Sequence, residues 1–247
     1  MKFVTLLFAI LLSAQVQAKN CAELLPFGFP TVDAQEKLTQ LCRKMYVVAH
    51  SPSRHTAYWS AEHLIGSQQN ADNPRINDFR SDPDLPANEA AKPSDYKNTG
   101  YDQGHMAAVG NMHIDAAAML ESFYLSNMVP QIPANNRDGW NHLEYFVRGS
   151  AMRYQDVYVI TGPVYQCNPC KTIGTTKVAV PTHLYKIIYN PHSRIAISFL
   201  VPNIPFTEKE ISQYVSDIKT IQNLTGITFF PQLMAPITEV KQLWAIR

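Results

Sequence analysis

Short apolar runs punctuated by turn formers set the rhythm of this chain. Met45-Tyr46-Val47-Val48-Ala49 and Ala57-Tyr58-Trp59-Ser60-Ala61 are β-prone, and Ser51-Pro52-Ser53 lies between them, so they predict a hairpin or two adjacent strands. Residues 21–44 before them are mixed and read as helical in part. Residues 66–100 are dominated by Asn, Asp, Pro, Ser and Ala. A loop of that length inside one domain is uncommon and usually functional, and this one runs directly into Tyr101-Asp102-Gln103-Gly104-His105-Met106. It is therefore expected to wall a site. Residues 116–125 are Ala-rich and predict a helix, which Ser126-Asn127-Met128-Val129-Pro130-Gln131 should break.

From Asn136 onward, Trp140, Leu143 and Val147 recur at spacings of three and four, the stripe of an amphipathic helix. Residues 156–161 alternate as a strand and Gly162-Pro163 turns the chain. Further strands are expected at 177–180, 184–189 and 195–201. Thr207, with Glu208 and Glu210 in the first turn, predicts a helix running to about residue 221. Strands and helices without strict βαβ alternation indicate an α+β class. No internal repeat or second-domain linker interrupts the pattern.

The first 18 residues have a different character. Lys2, the apolar run from 3 to 12 and Val16-Gln17-Ala18 form the three parts of a secretory signal peptide. The expected organisation is thus a leader at 1–18 and a single domain at 19–247, exported to the periplasm or secreted, with no membrane anchor. The formal charge of +1 includes Lys2, so the mature chain is not a basic coat. A nucleic-acid partner would have to be met by local Arg and Lys clusters. Export makes disulfides the default for the four cysteines, and sequence neighbours are the expected pairs, Cys21–Cys42 and Cys167–Cys170. The second pair is also compatible with a redox motif or half a zinc site, although no second CxxC accompanies it.

The polar residues carry a definite chemistry. His105 is a workable general base near neutral pH. Asn136 offers a neutral amide oxygen, a hard ligand suited to Mg²⁺. Glu144 lies eight residues on, about 80° round an ideal helix from Asn136, and Arg148 follows it at i+4, where the two can hold each other. A base, one metal and a cationic clamp suit phosphodiester hydrolysis. Trp140 and Tyr145 read as packing residues, Asp102 as a turn former or a functional acid, and His113, His142 and His183 as framework. A zinc hydrolase built on His105, His113 or His142 with cysteines lacks compact ligand spacing.

The stretch 101–106 resembles the motif, usually Asp-Arg-Gly-His, of the DNA/RNA non-specific endonucleases, which have the ββα-metal (His-Me finger) fold. Ser126-Asn127-Met128-Val129-Pro130-Gln131 and the Asn136, Trp140, Leu143, Glu144 and Arg148 set resemble the family's second block. Val159-Ile160-Thr161-Gly162-Pro163, Val180-Pro181-Thr182-His183 and Thr225-Gly226 with Phe229-Phe230-Pro231 resemble later ones. The resemblance implies a central, mostly antiparallel sheet flanked by helices, with DNA and RNA as substrates. It also implies Mg²⁺ as cofactor, with Mn²⁺ able to substitute. By the same resemblance His105 matches the general base, Asn136 the metal ligand, Glu144 the holder of the metal's waters, and Arg148 and Arg75 phosphate contacts, with Arg80 as the alternative to Arg75. The implied products carry a 5′-phosphate and a 3′-hydroxyl. Gln103 stands where the family usually has Arg. An amide donates hydrogen bonds but brings no charge, so either Arg75, Arg148 or Lys97 compensates or the chain is a weak or inactive nucleic-acid-binding member of the fold.

Overall fold

The apolar runs at 45–49 and 57–61 form the expected hairpin, and it is part of a larger sheet. The computed structural model describes residues 21–32, 37–69 and 74–242, so the expected leader at 1–18 lies outside the described residues. Its strands are β1 (Thr39–Cys42), β2 (Tyr46–Ser51), β3 (Thr56–Ile65), β4 (Asp102–His105), β5 (Met128–Gln131), β6 (Asp156–Val164), β7 (Thr172–Ile173), β8 (Val178–Ala179), β9 (His183–Asn190), β10 (Ile195–Pro202), β11 (Val215–Ser216) and β12 (Thr238–Glu239). The α-helices are α1 (Pro93–Tyr96), α2 (Ala116–Ser122), α3 (Trp140–Tyr154) and α4 (Ile218–Thr225). The main sheet runs β1-β2-β3-β6-β9-β10-β11, with β12 also alongside β10. Every pairing in it is antiparallel except β10 with β12.

Both faces of this sheet are covered, which is why its strands read as nearly continuous apolar runs. Val48, Val157, Val159, Ile188 and Phe199 point to one face and join Trp140, Leu143 and Val147 of α3 in one core. Val47, Trp59, Ile160, Ile187 and Tyr189 point to the other, where Leu25, Ile221, Phe229 and Phe230 close a second core. The two disulfides pair as expected, with Cα–Cα distances of 5.8 Å for Cys21–Cys42 and 4.9 Å for Cys167–Cys170. No helix among the described residues is long and apolar enough to cross a membrane.

Several elements differ from the sequence reading. Among the described residues of 21–44, only Cys21–Leu24 is helical, as a 3-10 turn, and residues 39–42 pair with β2 as a strand. The strand expected at 177–180 is only the two residues of β8. The single helix expected from 207 to 221 is two helices. A 3-10 helix, Glu208–Tyr214, starts on a Thr207/Glu210 capping box. Val215 and Ser216 then extend to pair with Phe199 and Ser198, and Asp217 caps α4 by accepting from the Thr220 amide. β10 offers Val215 and Ser216 a ladder there, and pairing with it replaces helix continuation.

Candidate active site

The six-residue stretch that ends the long loop becomes β4, half of a two-stranded ribbon. Its partner β5 is the segment expected only to break a helix; Gln103 faces Pro130 and His105 faces Met128. Proline is tolerated there because a two-stranded ribbon consists of edge strands. Its carbonyl accepts from the Asn203 side chain at 3.1 Å. Gly104 is required for space: a Cβ there would lie 2.1 Å from Gln131 Oε1.

Buried amides hold the ribbon in place. Asn127 accepts from the Ala107 amide and donates to the carbonyls of Ala107 and Ser122. Gln131 donates to Asn135, and Asn135 donates to the carbonyls of Pro202 and Ile204. Asn203 donates to Pro130 and Pro181 carbonyls and accepts from the Ile132 amide. The Asn and Gln residues of this region thus form an internal scaffold in which only Gln131 Oε1 lacks a partner among these bonds, and losing any of them would leave further buried polar groups unpaired.

Residues Asn135–Gly139 form one π-helical turn before α3. Such turns are rare and recur at functional sites. It invalidates the ideal-helix angle between Asn136 and Glu144, because the chain between them does not advance at 100° per residue. The two nevertheless line the same cavity of about 530 Å³ with Arg75, Phe79, Asp102, Gln103, His105, Arg137 and Asn141. A second cavity of about 380 Å³ shares Arg75, Val109, Asn141 and Glu144 with it and adds Gln69, His113, Tyr145 and Arg148. His113 and Tyr145, expected as framework and packing, therefore sit at this extended groove, with Tyr145 59% exposed.

His105 is only 7% exposed, with its ring against Phe79 and Phe123 at centroid distances of 5.7 and 5.2 Å. Burial, reinforced by the nearby Arg75 charge, pushes its pKa down to about 3. The ring is accordingly uncharged at neutral pH, though a weaker base than a free imidazole, and its Nε2 is buried without a protein partner among the described residues. Asn136 donates its amide nitrogen to Asp102 Oδ2 at 3.0 Å. That bond fixes the amide so that its oxygen, the atom a hard cation would take, is the group left for the cavity. Asp102 also receives a two-pronged contact from Arg137, with Nε at 2.8 Å and NH2 at 2.6 Å. Burial pushes the Asp102 carboxyl up, but the Arg137 and Asn136 bonds outweigh it and hold its pKa below the usual value. Asp102 is a positioning acid, not a simple turn former.

Beneath Glu144 the apolar face of the sheet carries a charged row. Lys186 on β9, 2% exposed, donates to Thr161 on β6 at 2.8 Å, the residue paired with it in register. Its ammonium lies 4.8 Å from the Trp140 ring. Glu62 on β3 accepts from the Ala108 amide at 2.9 Å and from Asn111 Nδ2 at 2.5 Å. Burial raises the pKa of Glu62, to about 7, against the pull of Lys186 and these two donors. Burial also raises Glu144, opposed by Lys186, Arg148 and Arg75. Lys186 is the buried cation whose charge acts on both carboxyls, Glu62 buried and Glu144 half-buried at the cavity. The sequence reading missed this row because Lys186 stands inside a run that reads only as a strand.

Arg75 lines both cavities. Arg80 does not: it pairs with Asp78, donates to the Leu120 carbonyl and covers the Tyr124 ring. Arg148 lines the second cavity, donates to Asn111 Oδ1 at 3.3 Å and lies 4.5 Å over Tyr145. It makes no ion pair with Glu144 among the described residues, contrary to the i+4 expectation. Gly110 leaves room for it, since a Cβ there would lie 2.6 Å from Arg148 NH1. Lys97 is exposed and lines neither cavity.

Chemically, the groove offers a neutral buried imidazole, an oriented amide oxygen, a carboxyl with a raised pKa, and guanidinium groups along its length. Among the described residues no three His, Cys, Asp or Glu side chains gather as a closed metal cage. The donor set instead fits a hydrated hard cation, which keeps most of its own waters and needs few protein ligands.

A family model for DNA/RNA non-specific endonucleases matches residues 22–235. Human mitochondrial endonuclease G is 33% identical over 237 residues, covering 90% of this chain and 78% of its own. Nuclease C1 of Cunninghamella echinulata var. echinulata is 33% identical over 232 residues, 87% of this chain and 90% of its own. A crystal structure of the EndoG/EndoGI complex contains a chain that superposes with a TM-score of 0.79 at 31% identity, covering 89% of this chain and 95% of that one.

Proposed function

We infer the function from the premise that this chain belongs to the DNA/RNA non-specific endonuclease family, and so is a nuclease, a hydrolase acting on nucleic acid. Its α+β architecture is the ββα-metal nuclease fold. The specific proposal is an exported, Mg²⁺-dependent endonuclease, with Mn²⁺ able to substitute, that cuts DNA and RNA to leave 5′-phosphate and 3′-hydroxyl ends. The observation that carries it is the meeting of His105, Asn136 and Glu144 in one cavity. Export is supported by the leader-like residues 1–18 and by both disulfides.

In this reading His105 accepts the proton of the attacking water, which its uncharged state at neutral pH permits. Asn136 would hold the cation through its side-chain oxygen, with Asp102 keeping the amide in that orientation. The bound cation supplies Lewis-acid neutralisation of the phosphate and leaving oxygen. Glu144 would orient the cation's waters by hydrogen bonds, and Arg75 and Arg148 would bind phosphate along the groove.

The test uses plasmid DNA and RNA with Mg²⁺ and with a chelator. Cleavage is expected only with the metal, and His105→Ala should lower the rate by about 10²–10⁴-fold. Asn136→Ala should abolish Mg²⁺ binding measured by calorimetry. Absence of cleavage by the wild type, or His105→Ala cutting equally well, overturns the proposal.

A further inference from the structure

Gln103 leaves the cavity without the guanidinium of the motif it resembles, yet another guanidinium stands at the same cavity. Arg137 follows Asn136 in the π-turn, and its side chain is 70% exposed while lining the cavity with Gln103. An exposed Arg usually wanders, but this one is fixed. Its Nε and NH2 grip the two oxygens of Asp102, the residue just before Gln103. A fork held on one side presents its remaining N–H groups on the other. Here NH1 has no protein acceptor among the described residues. Asp102 offsets the long-range field of Arg137, so what the side chain offers is a set of oriented donors at contact distance.

The neighbours make a phosphate the fitting acceptor. Arg137 is joined to Asn136 through a shared bond to Asp102 Oδ2, so its position is locked to the atom proposed to hold the cation. A phosphodiester reacting there must place its other non-bridging oxygen or the next phosphate against the cavity rim. We propose that Arg137 is a phosphate-contacting residue of this site and stands in for the guanidinium that Gln103 does not carry. The nucleic-acid backbone is then gripped from the turn before α3 and not from β4. This inference rests on the nuclease reading above.

Binding of a short single-stranded DNA to His105→Ala protein, followed over a range of salt concentrations without and with Mg²⁺, tests it. Arg137→Gln in that background should weaken binding several-fold in both conditions and reduce the slope of log K against log salt by about 0.7, one phosphate contact on a single strand. Adding Gln103→Arg should restore both, while Mg²⁺ affinity stays within about twofold. In otherwise wild-type protein the same Arg137→Gln change should raise KM for the oligonucleotide more than it lowers kcat. Unchanged affinity and slope overturn the inference. So does a loss of DNA binding seen only with Mg²⁺ and matched by a loss of Mg²⁺ affinity, which would make Arg137 merely a prop for Asp102. A wild type that cleaves while Arg137→Gln behaves identically sinks this inference alone. A wild type that neither binds nor cleaves nucleic acid removes the nuclease reading, and this inference with it.

Discussion

His50 and His105 are both buried without charge, and the contrast between them separates structure from chemistry. Each has one unpartnered ring nitrogen, but His105 borders a cavity, whereas His50 on β2 is fully buried with its other nitrogen beside the Glu89 carbonyl. Burial lowers the His50 pKa from 6.5 to about 4. Between those values the unfolded chain binds a proton that the folded one refuses, so stability is complete above pH 6.5 and declines as the pH falls to about 4. Urea denaturation at several pH values should show the wild type losing about 3 kcal/mol more than His50→Gln across this window. Parallel losses would contradict the assignment. At this scale the sequence showed the residues whose chemistry is unusual by type and spacing: His105, Asn136 and Glu144 meet as expected. It did not show Arg137, whose only mark is that Asp102, far back in the chain, holds it. Nor did it show the Glu62–Lys186 row, because a charge inside an apolar strand reads as an ordinary outward-facing residue until both faces of the sheet are known to be covered.

Gly104 is the clearest example of an element dictating a residue. Its backbone angles are unexceptional for other residues; what forbids a side chain is Gln131 across the ribbon. Gly104→Ala should therefore lower stability by about 1–3 kcal/mol through overpacking, read as a fall in the thermal midpoint, and should lower activity because His105 is the next residue. An unchanged midpoint would show that Gln131 yields freely. The ribbon itself was hard to foresee. Pro130 argues against a strand, and only the tertiary amides that hold 128–131 make an extended conformation worthwhile. The π-turn was invisible for a related reason: the apolar stripe of Trp140, Leu143 and Val147 fixes the register of α3 but says nothing of the turn in front of it.

Across the whole molecule, the sheet's covered faces explain how the class was legible from strand and helix order while the packing was not. The long apolar strands announced a sheet, but which segments cap its second face depends on contacts such as the Thr31–Thr228 bridge, between residues remote in sequence. The disulfides act at this scale as well. Cys21–Cys42 closes a loop of 21 residues and Cys167–Cys170 a loop of 3, so loop-closure entropy assigns about 3 kcal/mol to the first and about half that to the second. Replacing Cys21 and Cys42 by Ser should lower the denaturation midpoint more than the same change at Cys167 and Cys170. Equal or reversed losses would show that local packing, not chain entropy, sets their worth.

Asn203 has a consequence in time. Its single amide ties Pro130, Ile132 and Pro181 together behind the site, yet it lies some sixty residues beyond Glu144 in the order of synthesis. At about 5–20 residues per second, several seconds separate the synthesis of Glu144 from that of the amide that frames the cavity. During that interval the growing chain carries the cavity-lining residues of the ribbon without the amide that holds it. The location of one asparagine thereby places the last support of the β4–β5 ribbon late in the order of synthesis.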